Sequence, residues 1–292
     1  MIAAGFLLLA IGAADLVREF APAARRWIGY VAVALVLLVS GALSSALPAA
    51  LAAALLAAGW VWLTPSGTRS RAGLWPVVVV GALSATLVAF FPARSDAGLI
   101  GEVWNLESPV GPLSFDHAVL LIGTALFLLE SANVVVRAAL AQERVSLSTV
   151  AADTVPDEGE GTDAAPRPSA EPEVGSAGAA PVSVSFDTAE PVAGVPGVNA
   201  DAPSPAMGPA LKGGRLIGPL ERLLVFALTL AGMYPLLAAI LAAKGIVRFP
   251  EISRDSAIGN RAEYFLIGSL VSWVLALAAA FLVWWAFATP VP

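Results

Sequence analysis

The chain has 292 residues, 58% of them hydrophobic and 13% charged, with no cysteine and one histidine. Apolar content on this scale, with a mean hydropathy of +0.81, points to an integral membrane protein; it excludes disulfide and thiolate chemistry and leaves no basic stripe for nucleic acid. The net charge of −6 is concentrated, because residues 145–211 hold ten acidic residues against Arg167 alone, or −9, and the remainder sums to +3.

Residues 1–17 are apolar apart from Asp15. A cleavable signal peptide is disfavoured because the basic residues Arg18, Arg25 and Arg26 follow the apolar run instead of preceding it. The run is read as a short first span. Trp27 to Leu47 is the second, entered through Trp27 and Tyr30, whose rings suit the headgroup zone. Pro48 closes it, and Ala49 to Leu63 returns as a third span in a tight hairpin, with one long helix kinked at Pro48 as the alternative. Leu74 to Phe91 is the fourth span, residues 92–114 form a water-facing loop, and Ser114 to Ala141 is the fifth.

Within the fifth span Glu130, Asn133 and Arg137 recur at i, i+3 and i+7, which stacks them on one helical face. Ionisable groups inside hydrocarbon define a functional-site hypothesis, and the alternative is a paired ladder that holds helices together. Residues 145–211, rich in Pro, Gly, Ser, Ala, Asp and Glu, cannot bury enough apolar surface to offset chain entropy, and are expected to form a disordered acidic linker.

Leu216 to Ala243 is the sixth span, with a kink expected from Gly232 and Pro235, and Ala262 to about Phe281 is the seventh. Between them lies the densest run of charge, including Lys244, Arg248, Glu251, Arg261 and Glu263, read as a polar hairpin joining the two spans. In the last span Gly268, Ser272, Ala276 and Ala280 recur every four residues and form a ridge of small side chains. That ridge is expected to dock on span six, with Glu263 latched to Lys244 or Arg248.

Gly218-Pro219-Leu220-Glu221-Arg222, Ala243-Lys244-Gly245 with Arg248-Phe249, and Ala262-Glu263-Tyr264 followed by Leu266-Ile267-Gly268-Ser269-Leu270 together carry a resemblance. Residues 216 to 275 resemble the C-terminal part of a bacterial polytopic membrane-protein family known only as a domain of unknown function. The resemblance implies a multi-pass bacterial membrane protein and no activity.

The expected architecture is all-α: a polytopic transmembrane helical bundle of about seven spans. It divides into a bundle of about five helices over 1–144, the linker over 145–211, and a two-helix hairpin module over 212–292. Basic residues near span ends place the linker and the C-terminus in the cytoplasm, with the 244–261 hairpin as an exception carrying basic residues on the outer side. His117 sits beside Asp116 at a helix start without a nucleophile motif, and no metal-ligand or phosphate-loop spacing occurs, so no catalytic residue, metal or cofactor is assigned. Two classes of function remain. The first is a non-catalytic scaffold or regulatory subunit of the bacterial plasma membrane, meeting lipid and a protein partner through the linker. The second is a small transporter or ion pathway using the Glu130 face.

Overall fold

The computed structural model describes residues 1–64, 74–94, 97–104, 106–108, 111–141, 214–254 and 260–289. The described residues all belong to one compact unit, and the acidic linker proposed from sequence lies outside them. The helices are α1 (Ile2–Phe20), α2 (Arg26–Leu43), α3 (Leu47–Leu63), α4 (Trp75–Phe90), the short α5 (Gly98–Val103) and α6 (Phe115–Leu126). A π-helical turn, Phe127–Ser131, joins α6 to α7 (residues 132–141), and α8 (Gly214–Leu230), α9 (Tyr234–Arg254) and α10 (Asn260–Ala288) follow. The described non-helical structure includes one antiparallel ribbon, β1 (Leu106–Ser108) with β2 (Gly111–Leu113), in the loop before α6.

Among the described residues three helical stretches are long and apolar enough to cross a membrane: Ala23–Leu43, Phe115–Ala141 and Leu266–Ala288. Shorter apolar helices occupy Leu47–Leu63, Trp75–Phe90 and Tyr234–Ile246. α2, α3, α4 and α10 each turn large apolar side chains outward, such as Leu35, Leu55, Val78 and Phe281, the pattern of a bundle solvated by hydrocarbon. The α2–α3 connection is a tight hairpin at Ser44–Ala46, with Ser45 at φ 53° and Pro48 in the first turn of α3, where its missing N–H costs no helical bond.

The element at the centre is α1, the run that looks marginal by length. Phe6, Leu7, Ala10 and Ile11 are at most 1% exposed, and α6, the π-turn, α2, α3 and α4 pack around the helix. Its glycines explain how a helix can be enclosed so closely. A Cβ on Gly12 would lie 2.7 Å from the Leu126 carbonyl carbon and the Phe127 nitrogen, and one on Gly5 would lie 2.8 Å from the Leu120 nitrogen. Across the contact, a Cβ on Gly123 would lie 2.5 Å from the Gly5 carbonyl oxygen. Backbone touches backbone, the close approach that drives helix association where lipid removes the hydrophobic term. The contacts run in step, Gly5 at Leu120 and Gly12 at Phe127, so α1 lies parallel to α6 and α7.

The expected sixth span is corrected. At Ala231–Met233 the chain turns through Gly232, at φ 68°, and α9 comes back along α8. Lys244 and Glu221, 23 residues apart and so about 34 Å apart in a continuous helix, form an ion pair at 2.6 Å. The Pro235 expected to kink one helix instead sits in the first turn of a second, the position where proline is tolerated.

Folding back changes the sidedness of everything after it. α10 begins beside α7, with Gly268 near Val136 and Leu140, and ends where α6 begins, with the Ala286 carbonyl against His117. It is therefore antiparallel to α6 and α7. α9 brings Lys244 back to the Glu221 end of α8 and α10 finishes at the Asp116 end, while the linker, expected to share a side with the C-terminus, lies outside the described residues. Lys244, one of the basic residues that broke the charge rule, falls at the Glu221 end of α8 once α8 and α9 are counted as a hairpin.

Candidate functional site

The π-turn is where the polar residues converge. Widening the helix from i+4 to i+5 bonding disturbs the carbonyl ladder around Phe127–Ser131, and the Ala132 N–H bonds the Phe127 carbonyl. Arg222, from α8, fills the opening: its Nε donates to the Leu128 carbonyl at 3.1 Å, and its Nη2 donates to Asn133 Oδ1. At 2% exposure Arg222 is the largest fully buried side chain among the described residues. Asn133 passes the network on, donating from Nδ2 to Glu130 Oε2 at 3.2 Å. Glu130 is 3.7 Å from Arg137 Nη2, whose side chain is 64% exposed.

A second group abuts the same turn from α1 and α3. Asp15, 1% exposed, pairs with Arg18 at 2.7 Å and accepts a 2.9 Å hydrogen bond from Trp60 Nε1. Arg18 in turn donates to the Thr64 carbonyl, at the end of α3. In the π-turn itself the Ser131 hydroxyl is fully buried and makes no hydrogen bond among the described residues. Toward the outside of the cluster Glu221 accepts from Lys244 at 2.6 Å and from Trp273 Nε1 at 2.8 Å. Lys244 also lies 5.4 Å from the centre of the Trp273 ring, so α8, α9 and α10 are tied at one point.

The three residues singled out on the fifth span thus meet in one network. Lys244 is engaged with Glu221; the side chains of Arg248, Glu251, Arg261 and Glu263, and with them the expected Glu263 latch, lie outside the described residues. On α10, Ser272, Ala276 and Ala280 are buried, and the helix packs most extensively against α8, while Gly268 faces α7. Asp15, Arg18, Trp60, Glu221 and Arg222 were not assigned to a site from the sequence, although Asp15 and Arg18 at i, i+3 and a lone arginine in the apolar run after Leu216 are the signals that mark them.

At the opposite end Arg94 and Asp116 form a separate structural pin. Arg94 Nη2 and Nε reach Asp116 Oδ1 and Oδ2 at 3.1 and 3.3 Å, and Nη1 donates to the Ser44 carbonyl at 2.9 Å. Ser114 caps α6 by accepting from the His117 N–H, and its hydroxyl meets His117 Nδ1 at 2.6 Å. His117 Nε2 faces the Ala286 carbonyl, so both ring nitrogens are occupied by structural contacts.

From Asp116 to Glu130 is 14 residues, about 21 Å along the helix. That interval is filled by buried Leu120, Phe127 and Leu128, with the Thr124 hydroxyl returned to the Leu120 carbonyl at 2.7 Å. Among the described residues no group of His, Asp and Glu is arranged to hold a metal ion. No protein-family model, curated protein or solved structure matches the chain.

Proposed function

We propose that this protein is a non-catalytic membrane scaffold or regulatory subunit, built from six crossing helices (α1, α2, α3, α4, the α6–α7 helix and α10) and the α8–α9 hairpin. The observation that carries this reading is local pairing. Each charged group of the π-turn cluster closes on a neighbour within it, and about four turns of apolar packing separate it from the Arg94–Asp116 pin, whereas a conduction path needs polar groups in succession. The basic residues Arg18, Arg25, Arg26, Arg137 and Lys244 lie on or next to one end, which by the distribution of Lys and Arg is the cytoplasmic face of a bacterial plasma membrane. The acidic linker then hangs in the cytoplasm as the tether for a protein partner.

A transporter is the second reading, favoured by an interrupted helix pair beside intramembrane charges. Reconstitution separates the two. Purified full-length protein in liposomes should pass protons and small ions no faster than protein-free vesicles, and affinity capture from native membranes should recover a partner that is lost on deletion of residues 145–211. Flux that disappears in Glu130→Gln while the fold is retained would establish the transporter instead.

A further inference from the structure

A groove of about 370 Å³ opens between α1, α2 and α3, with Ala10 and Ala14 on its floor, Tyr30 and Ala34 on one wall, and Ala57 and Val61 on the other. It is almost wholly apolar along its length, yet it does not end in apolar surroundings. Tyr30, Ala34 and Leu37 line it from one face of α2, and the same face one turn earlier carries Arg26, whose Nε is held by the Ala21 carbonyl at 3.2 Å. Arg25, exposed in the 3₁₀ turn Ala23–Arg25, stands next to it. Trp27, 65% exposed, and Tyr30 mark this level as the headgroup zone. Arg18 is committed to Asp15, and Arg25 and Arg26 supply positive charge beside the mouth.

A long apolar slot open to hydrocarbon, ending at headgroup depth under a cationic collar, has the two-part chemistry of a phospholipid bearing net negative charge. We propose that the α1–α2–α3 groove is a binding site for an anionic phospholipid, one acyl chain lying over Ala10 and Ala14 and the phosphate meeting Arg26 and Arg25. Small residues create the slot, and the arginines select the headgroup through charge-assisted hydrogen bonds, as basic sites at helix ends do. The site rests on the membrane reading above and is independent of whether the protein is a scaffold or a transporter, since its test measures neither flux nor partner capture.

The test is native mass spectrometry of the full chain released from vesicles of equal phosphatidylglycerol and phosphatidylcholine. Wild-type protein should retain one phosphatidylglycerol in preference to phosphatidylcholine by about tenfold. Arg26→Gln should cut that preference several-fold, and Ala34→Phe, which fills the slot, should abolish retention of either lipid. Leu35→Phe, on the outward face of α2 at 60% exposure, should change neither. Equal retention of both lipids by wild type, unchanged retention in Arg26→Gln, or displacement of the lipid by millimolar glycerol phosphate, showing that the headgroup binds without the groove, would overturn the proposal. If Ala34→Phe fails to fold, Arg26→Gln and the lipid comparison still decide it.

Discussion

Arg222 and Arg137 both serve the Glu130 neighbourhood, and their burial sets very different weights on them. Arg222 is enclosed, donates to the Leu128 carbonyl and to Asn133, and lies in the field of Glu130. Removing it leaves an acceptor of the π-turn, an amide oxygen and part of a carboxylate's compensation unmet in hydrocarbon. Arg222→Ala should therefore cost about 3–5 kcal/mol, the range for breaking a buried charge network. Arg137 reaches Glu130 only at 3.7 Å, from a largely exposed position, so Arg137→Ala should be close to neutral in the same denaturation assay in detergent. Glu130→Gln should rescue part of the Arg222→Ala loss, because it removes the charge that the arginine compensates; additive losses in that double-mutant cycle would refute the coupling. These side chains were only half legible in the sequence. Glu130, Asn133 and Arg137 stand out because they repeat along one helix, whereas Arg222 and Asp15 join them from helices distant in the chain, and no spacing rule connects residues 15, 130 and 222.

At the scale of elements, small residues identify contacts only when the facing surface is known. Gly268 heads a regular ridge, yet a Cβ there would meet Leu140 and Val136 at an ordinary 3.8 Å. Gly5, Gly12 and Gly123 form no obvious motif and carry a helix contact in which backbone meets backbone. Gly12→Ala should accordingly destabilise the bundle by about 1–3 kcal/mol through overpacking, while Gly268→Ala should be tolerated. Gly81→Ala, in α4 where nothing lies within 4 Å, should be neutral or stabilising by up to about 1 kcal/mol. Thermal unfolding of the three variants in one detergent checks the order, and a Gly12→Ala protein as stable as wild type would remove the close α1–α6 contact. Hydropathy located nearly every helix for the simple reason that lipid-facing surfaces must be apolar. It placed α1 as a short first span but could not show that protein encloses it, and it merged α8 with α9 because a turn of Ala231, Gly232 and Met233 is itself apolar.

For the whole molecule the fold-back of α8 on α9 fixes which ends face the same compartment. The chain has no cysteine, so single substitutions report cleanly. Cysteine at Ser256 and cysteine at Ser169 should react with an impermeant maleimide only from the inner face of vesicles, and cysteine at Thr289 only from the outer face. Labelling of positions 256 and 289 from the same face would restore an even number of crossings after the linker. The enclosure of α1 bears also on the order in which the protein can be made. The helix is translated well before α6, yet α6 and the π-turn supply much of its covering, so its glycine face must wait in the bilayer for a partner more than a hundred residues downstream. Release from the insertion machinery thus has to be deferred until the fifth hydrophobic segment has emerged, and a ribosome stalled in the α4–α6 loop would leave behind a fragment that quality-control proteases can recognise by its unsheathed first helix.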